Sequence, residues 1–243
     1  MHVPPCSPID STKEHRIRLV TWNCCRGTFD SKWQRLLGLQ PDLAVLQECA
    51  TPTATASSTA WFGSNPKQGI AVVAQPPFHV SAEPAREGSR SMFAARVKGP
   101  VSFTVVAVWA QLEPTYSEAL RRGLTVYRDV LLAGPSILIG DLNSSAAWDD
   151  RHGRNDHREL DVALHEEFGL VSAYHMATGE PAGLESRPTH FWRWHEAGPF
   201  HLDYCYLPER WCAGLKSVTV GTFEAWAGAS DHRPVVVDVT PPG

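Results

Sequence analysis

The stretch SILIGDLN, residues 136–143, carries the pattern that decides the fold. A short run rich in Ile and Leu leads directly into a carboxylate and an amide. Three other segments share this design, at residues 18–23, 43–48 and 200–203. Apolar runs of this length that are bounded by Gly or Pro are typical of buried strands rather than of helices. The sequence therefore predicts four buried strands that each end in a polar side chain.

Helical segments and further strands alternate along the rest of the chain. Trp33 and Leu36 lie on one helical face that Pro41 ends, and residues 117–132 and 159–168 show two more such faces. Further strands are predicted at residues 69–74, 92–97, 101–110, 215–220 and 234–239. Because hairpins interrupt the strand–helix–strand units, the pattern favours an α/β fold of two packed sheets with helices outside over one doubly wound parallel sheet.

Composition and charge exclude several classes of protein. The chain has 243 residues, of which 43% are hydrophobic and 20% charged, as in ordinary globular proteins and unlike fibrous or disordered ones. A net charge of -4 argues against bulk electrostatic attraction to nucleic acid or anionic membranes. A local basic patch stays open beside the alternative of scattered solvated charges, and its members would be Arg86, Arg90, Arg96, Arg121, Arg122, Arg151 and Arg154.

Six cysteines form no C-x-x-C pair, so neither a zinc site nor a disulfide framework is predicted. Cys24, Cys49 and Cys205 adjoin apolar runs, where a free thiol behaves as a small buried hydrophobe. Residues 1–16 contain Pro and charge where a signal peptide needs an apolar stretch. We expect a flexible leader over residues 1–16, one domain over residues 17–243, and a monomeric cytoplasmic protein with no transmembrane segment.

Acidic side chains at the strand ends point to a cation. If Glu48, Asp141, Asp203 and Asp231 meet at one mouth of the sandwich, their repulsion raises their pKa values or demands a positive charge. Mg²⁺ or Mn²⁺, which prefer oxygen ligands, would supply that charge. The alternative for each carboxylate is a helix cap or a turn. An Asp directly before His232 favours the cation, because a His oriented by a carboxylate can place a proton beside a phosphoryl oxygen.

Five motifs stand in a fixed order over about residues 18–239: Thr-Trp-Asn23, Leu-Gln-Glu48, Gly-Asp141-Leu-Asn143, His-Leu-Asp203-Tyr and Ser-Asp231-His232. In this order the sequence resembles the endonuclease/exonuclease/phosphatase family, which includes DNase I-like nucleases, exonuclease III-like repair endonucleases, inositol polyphosphate phosphatases and bacterial sphingomyelinases. The resemblance implies a DNase I-like, four-layer α/β/β/α sandwich.

The resemblance also implies a role for each matching residue. Glu48 corresponds to the principal metal ligand, Asn23 to a residue that orients metal or phosphate, and Asp231 to a neighbour of the metal. These positions imply Mg²⁺ or Mn²⁺ as the cofactor.

Four further positions correspond to the family's catalytic residues. Asp141 resembles the carboxylate that aligns or deprotonates the attacking water, and Asn143 the amide that holds water and a phosphate oxygen. Asp203 matches the partner that orients His232, whose ring would stabilise the charge on the phosphorus centre.

The sequence departs from the family pattern in two places. Many relatives carry a His or Tyr as the leaving-group acid where this chain has Trp109, and an indole cannot transfer a proton at neutral pH. The replacements to consider are Tyr116, His152, His157 and His175. Cys25 stands where some relatives have another metal neighbour, which favours a single metal ion.

Two stretches are candidates for the walls of a substrate site. Residues 143–157 are expected to form a polar loop over the site, and residues 186–194 combine aromatics with Arg, which suits stacking on bases and pairing with phosphates. A solvated connection and ordinary core tryptophans are the alternatives. The candidate substrate contacts are Trp109, Arg154, His190 and Trp192.

The sequence thus predicts a metal-dependent phosphoesterase that hydrolyses phosphodiesters by in-line attack of water, with an endonuclease or exonuclease acting on nucleic acid as the leading hypothesis. A phosphatase or phosphodiesterase for a small phosphoester (inositol phosphate, nucleotide or phospholipid head group) is the first alternative. A non-catalytic binding protein that kept the fold is the second. No partner protein is indicated.

Overall fold

Two six-stranded β-sheets face each other in the computed structural model, which describes residues 15–53, 58–152 and 156–242, without the side chains of residues 150–152. The first sheet has the order β13-β14-β1-β2-β4-β3. Its strands are β1 (Ile17–Asn23), β2 (Leu43–Cys49), β3 (Ser58–Asn65), β4 (Gln68–Ala74), β13 (Leu215–Val220) and β14 (Val235–Val239).

The second sheet has the order β5-β6-β7-β8-β12-β9. Its strands are β5 (His79–Ala82), β6 (Met92–Lys98), β7 (Phe103–Trp109), β8 (Ser136–Asp141), β9 (Leu170–Ser172) and β12 (Asp203–Pro208). A separate hairpin consists of β10 (His190–Phe191) and β11 (Pro199–Phe200).

Seven α-helices are found in the described part of the chain: α1 (Phe29–Leu37), α2 (Tyr116–Val126), α3 (Arg128–Leu132), α4 (Ala146–His152), α5 (Asp156–Phe168), α6 (Ala173–Thr178) and α7 (Phe223–Trp226). Strands β1 and β2 pair in parallel, as do β7 and β8, and the other pairs are antiparallel. Both sheets are mixed and helices cover their outer faces, which confirms the predicted four-layer α/β/β/α sandwich.

Three apolar cores separate the four layers. Val105 and Ile139 of the second sheet meet Leu19 and Val237 of the first in the space between the sheets. The side chains that alternate with these point outward, where Leu138 packs under α2 and α5 and Trp22 packs under α1 and α7. Because successive side chains on a strand point to opposite faces, the same alternation directs the strand-end residues Asn23, Asp141 and Asp203 into the space between the sheets.

Several predicted elements differ from the structure. The helix expected over residues 117–132 is broken at Tyr127, whose φ and ψ of −102° and 12° separate α2 from α3. The loop expected over residues 143–157 contains α4 and the start of α5. The strand expected at residues 200–203 is wrong: β11 ends at Phe200, and Asp203 begins β12 instead of ending a strand. The strand β12 runs antiparallel to β8, so its first residue lies opposite the last residue of β8.

Cys24, Cys49 and Cys205 are buried free thiols, as predicted. The proposed leader falls almost entirely outside the described residues, and β1 begins at Ile17. Among the described residues, no helix is both long and apolar enough to cross a membrane.

Candidate active site

One amide joins the two sheets at the polar end of the sandwich. Asn23 is buried at the end of β1, and its Nδ2 donates to Oε1 of Glu48 at 3.2 Å and to Oδ2 of Asp141 at 2.9 Å. Glu48 belongs to the same sheet as Asn23, whereas Asp141 ends β8 in the facing sheet. Two carboxylates from different layers therefore share one hydrogen-bond donor.

Glu48 reaches this position through an irregularity in β2. Strand alternation would direct Gln47 between the sheets, and Gln47 is indeed buried there with its Nε2 on Oγ1 of Thr21 at 3.0 Å. The register shifts between Leu46 and Cys49, and Glu48 itself has φ +56°. A bulge of this kind re-aims a side chain. Gln68 then holds the second carboxylate oxygen of Glu48 with an Nε2–Oε2 bond of 2.9 Å.

Asp141 and Asn143 form a tight turn at the end of β8. The backbone N–H of Asn143 donates to Oδ1 of Asp141 at 2.8 Å, and its Nδ2 donates to Oδ2 at 3.1 Å. The preceding residue must be glycine, because Gly140 has φ +148° and a Cβ there would lie 2.0 Å from the carbonyl oxygen of Val108. This close approach of β7 fixes where the Asp141 carboxylate emerges.

Burial raises the pKa of Asp141 to about 7. The positive charge of His232 opposes this shift, while the carboxylate of Asp203 adds to it. The carboxyl group is fully buried and has no Lys or Arg partner among the described residues. Its charge is therefore compensated only in part by the protein.

Asp203 and His232 form a buried pair next to Asp141. Asp203 lies directly opposite Asp141 in the β8–β12 register, and Nδ1 of His232 donates to its Oδ2 at 2.8 Å. Burial lowers the pKa of His232, but the charges of Asp203 and Asp141 outweigh burial and raise it to about 10. His232 is consequently a cation that faces the carboxylates.

Ser230 fixes the loop that carries His232. Its hydroxyl donates to the carbonyl of Asn23 at 2.7 Å and accepts from the backbone N–H of His232 at 3.0 Å. Asp231, between them, is half-buried, and its Oδ2 lies 3.9 Å from Nε2 of His190. The structure thus brings all three members of the Ser-Asp-His motif to the mouth of the site.

Arg233 belongs to the site and was not identified from the sequence. Its guanidinium is buried, and Nη1 donates to the carbonyls of Ser230 at 2.7 Å and His232 at 3.1 Å. The rings of Phe191 and Phe223 lie 4.6 and 4.8 Å from the guanidinium carbon. An Arg after a polar motif ordinarily indicates a solvated side chain, so its burial had no signal in the sequence.

The donor set fits a hard divalent cation. Asp141, Asp203 and His232 offer ligand atoms within 4.8 Å of one another. His232 is protonated and bound to Asp203, so it suits an ion pair better than a metal bond. Oδ1 of Asp203 is buried without a hydrogen-bond partner. Together with the carboxylates of Glu48 and Asp141, the site offers the oxygen ligands that Mg²⁺ and Mn²⁺ prefer.

The candidate substrate contacts lie in different settings. Trp109 is half-buried and packs against the core between the sheets, with its backbone opposite Asp141. His190 is buried, and its ring centroid is 4.5 Å from that of His232. Trp192 is 58% exposed at the tip of the β10–β11 hairpin. Arg154 lies outside the described residues.

Two of the four candidates for the leaving-group acid are engaged in other hydrogen bonds. His157 is buried with Nδ1 3.1 Å from the hydroxyl of Ser144, and His175 lies between Ser172 at 2.8 Å and Glu185 at 3.1 Å. The side chain of His152 is not among those described. Tyr116 lines a pocket together with Asn143.

Of the seven arginines considered as a basic patch, five have described side chains and each of these lies near an acid, whereas the side chains of Arg151 and Arg154 are outside the described part of the structure. Arg86 binds Asp129, Arg96 binds Glu83 at 2.8 Å and Arg121 binds Glu159 at 2.6 Å. Arg90 lies 3.1 Å from Glu113, and Arg122 lies 3.7 Å from the same residue. Arg96 is on strand β6, within the strand predicted at residues 92–97. The described arginines are therefore separate surface charges, which was the alternative to a local basic patch.

Fold and site define a hydrolase that acts on phosphoester bonds. The sequence profile of the Endonuclease/Exonuclease/phosphatase family matches residues 20–232. The chain therefore belongs to this family. The family depends on divalent metal ions, in keeping with the carboxylate cluster. No curated protein matches the sequence.

Solved structures share the fold at low sequence identity. The 3' phosphatase NExo from Neisseria, bound to a product DNA hairpin, is 20% identical with a TM-score of 0.67, and the match covers 92% of this chain and 99% of that one. The catalytic domain of APE2 from Xenopus laevis is 14% identical with a TM-score of 0.71, covering 92% of each chain. An AP endonuclease from Archaeoglobus fulgidus is 13% identical with a TM-score of 0.67, covering 91% of this chain and 98% of its own.

Proposed function

We propose that the protein hydrolyses phosphodiester bonds of nucleic acid with Mg²⁺ or Mn²⁺. The observation that carries this proposal is the pair of carboxylates, Glu48 and Asp141, that two facing sheets bring onto one amide of Asn23. Directly beside them stands a cationic His232 held by Asp203. Anionic ligands for a metal and a positive side chain for a phosphoryl oxygen are thus in one cleft.

Glu48, Asp141 and Asn23 would hold the metal ion, with Asp231 at the edge of the same site. When bound, a divalent cation neutralises charge on the phosphoryl oxygens and lowers the pKa of a coordinated water. Asn23 keeps both carboxylates at a fixed separation through its two N–H bonds. Gln68 and the Asx turn of Asp141 limit the rotation of the two acids.

Asp141 would orient the attacking water and accept its proton. The carboxylate has two oxygens, so one can face the cation while the other accepts a hydrogen bond from the water. Asn143 would hold the water and a phosphate oxygen through its amide. Its Nδ2 already lies on Asp141 at 3.1 Å, so a small rotation brings it to a substrate atom.

His232 would stabilise the negative charge that develops on the phosphoryl group. Its ring remains positive at neutral pH because Asp203 occupies Nδ1, and Nε2 is left to face the substrate. Preorganised positive charge in a buried site is usually the largest single contribution to such catalysis. His190 and Trp192 would contact the substrate beyond the phosphate.

Nucleic acid is favoured as the substrate by the fold relatives, whose descriptions name a DNA hairpin product and an AP endonuclease. The exposed Trp192 offers a stacking surface beside the site. A small phosphoester is the second candidate, and the paired arginines favour it because they leave little free positive charge for a long duplex.

The proposal is tested with bis(p-nitrophenyl) phosphate, Mn²⁺ and purified protein. We expect hydrolysis that EDTA abolishes and that Glu48→Gln lowers by about 10²-fold or more. Asp129→Asn, a change at an acid whose side chain is 70% exposed, serves as the matched control and should retain activity. Hydrolysis that survives both EDTA and Glu48→Gln contradicts the proposal. Plasmid DNA, abasic duplex, single-stranded RNA and inositol phosphates then rank the substrates.

A further inference from the structure

A cavity adjoins the catalytic cluster. A pocket of about 150 Å³ lies where the start of α2 meets the α4–α5 region, and Asn143 forms part of its wall. The pocket is open on one side, so a group that enters it can stay attached to a longer chain. Because Asn143 also bonds Asp141, the pocket borders the catalytic cluster.

The described side chains that line this pocket are neutral or acidic. The lining consists of four hydroxyl side chains, two aromatic rings, two carboxylates and the Asn143 amide, with no Lys or Arg among the described residues that line it. The carboxylate of Asp149 accepts hydrogen bonds from the backbone N–H groups of His157 and Arg158, both at 3.0 Å. A polyanion would meet repulsion here, whereas an uncharged group with hydroxyls and an aromatic ring would find partners.

The two aromatic rings of the pocket, Trp148 and Tyr116, could stack on a planar ligand. Trp148 is half-buried, and its edge packs on Phe200 of the β10–β11 hairpin with ring centroids 5.2 Å apart. That contact limits the motion of the indole in the pocket wall. Tyr116, the first residue of α2, is half-buried and lines the same pocket. A nucleoside matches this combination, since its base stacks on aromatic rings and its sugar bonds hydroxyls.

Tyr116 is also close enough to the catalytic carboxylates to feel their charge. Burial raises the pKa of its phenol, and the charges of Asp141 and Glu48 raise it further. The hydroxyl therefore stays protonated throughout the neutral range. A phenol is still a far stronger acid than a sugar alcohol, so transfer of its proton to a departing alkoxide is favourable.

We propose that this pocket receives the nucleoside that leaves when the phosphodiester is cut, and that the Tyr116 hydroxyl protonates the leaving oxygen. Water oxygen bonds to phosphorus, and the bond from phosphorus to the nucleoside oxygen breaks with its electron pair on that oxygen. That oxygen takes the Tyr116 proton, and solvent returns one to the phenolate. The proton lost by the water passes through Asp141 to solvent. The inference rests on the proposed function and assigns the acid that Trp109 cannot provide.

Two substrates separate this inference from the proposed function. Methyl p-nitrophenyl phosphate has a leaving group that departs without a proton, whereas dithymidine monophosphate has a nucleoside leaving group that needs one. With Mn²⁺, Tyr116→Phe should lower kcat for the dinucleotide about 10²-fold more than for the aryl ester. The matched control is Tyr127→Phe, because the Tyr127 hydroxyl is buried without a hydrogen-bond partner. It should leave the ratio of the two rates unchanged.

Pocket occupancy has its own readout. Thymidine should bind the metal-free protein in equilibrium dialysis, Trp148→Ala should weaken that binding about tenfold or more, and inositol hexakisphosphate should not compete. Equal losses on both esters with Tyr116→Phe, or thymidine binding that Trp148→Ala leaves intact, overturn the inference while the proposed function stands. Wild-type protein that hydrolyses neither ester with Mn²⁺ overturns both.

Discussion

Asp141 and Asp238 are the same side chain at two ends of the sandwich, in opposite electrostatic settings. Asp238 on β14 receives Nε and Nη2 of Arg18 at 2.9 and 3.0 Å and a bond from Arg16 at 3.0 Å. Although burial acts against it, these arginines lower the pKa of Asp238. Asp141 is buried with a pKa raised to about 7 and shares its surroundings with Asp203 and Glu48.

The difference separates a structural carboxylate from one that we propose to be functional. Asp238 has its charge neutralised within the protein, so folding alone explains its position. Asp141 keeps a buried charge that the protein neutralises only partly, which is costly for folding and useful for binding a cation. Substitutions at the two positions should therefore affect different properties of the molecule.

The largest effect is expected from Asp141→Asn compared with Asp238→Asn. The first variant should lose about 10³-fold in phosphodiester hydrolysis, because an amide cannot accept the proton of the attacking water. The second should keep activity within about twofold but lose about 2 kcal/mol of unfolding free energy, since two arginines lose their charged partner. Initial rates with Mn²⁺ and urea titrations in EDTA measure both.

The comparison would fail if Asp238→Asn removed activity without loss of stability. It would also fail if Asp141→Asn retained most of the hydrolysis. Arg18→Gln provides a matched control for the structural end, because it removes the other half of the same ion pair. We expect it to reproduce the stability loss of Asp238→Asn.

The pH dependence of stability sharpens the same contrast. Burial raises the pKa of Asp141 from 3.8 to about 7, and the neighbouring acids raise that of His232 from 6.5 to about 10 despite burial. Both groups bind protons more tightly in the folded state. In EDTA, the unfolding free energy should therefore fall as pH rises from about 4 to 7 through Asp141, and from about 6.5 to 10 through His232. Asp238, with its lowered pKa, instead loses its stabilising ion pair only as pH falls below 3.8.

A metal ion should reverse the Asp141 part of this profile. As a proposed ligand, Asp141 would bind Mn²⁺ only when deprotonated, so the rise in Tm with Mn²⁺ should be at least about 3 °C larger at pH 8 than at pH 5.5. Calorimetry in EDTA and in Mn²⁺ at both pH values measures the difference. Asp141→Asn should abolish most of this difference, and a metal-induced shift that is equal at both pH values would argue against Asp141 as a ligand.

The strand ends were predictable from the sequence because they follow directly from alternation. Alternate side chains of β1 and β8 pack between the two sheets. Asn23 and Asp141 must also point inward, because the residues two before them do. The layers were predictable for the same reason. Which strand end carried Asp203 was not: the first residue of an antiparallel strand and the last residue of its neighbour meet at one edge, and the sequence pattern around residues 200–203 does not distinguish them.

Other features of the site depend on local geometry that no pattern expresses. Glu48 reaches Asn23 only through a bulge, and alternation by itself would select Gln47. The helix α4 follows the Asp141–Asn143 turn in a polar segment without clear periodicity. Arg233 is buried because two distant aromatic residues, Phe191 and Phe223, come together around it. Each of these depends on tertiary contacts between remote parts of the chain.

A smaller effect is expected at Arg233, which supports the site without facing the carboxylates. Its Nη1 holds the carbonyls of Ser230 and His232, so Arg233→Gln should shift the His232 ring and lower kcat about fivefold to tenfold. KM should change less, because the proposed metal ligands Glu48 and Asp141 do not contact this arginine. Arg233→Lys keeps the charge between the two rings and should recover part of the rate. Asp203→Asn provides the upper limit, since it removes the direct partner of His232. If Arg233→Gln lowered stability yet left kcat and its pH profile untouched, the arginine would resemble Asp238, a residue that serves the fold alone.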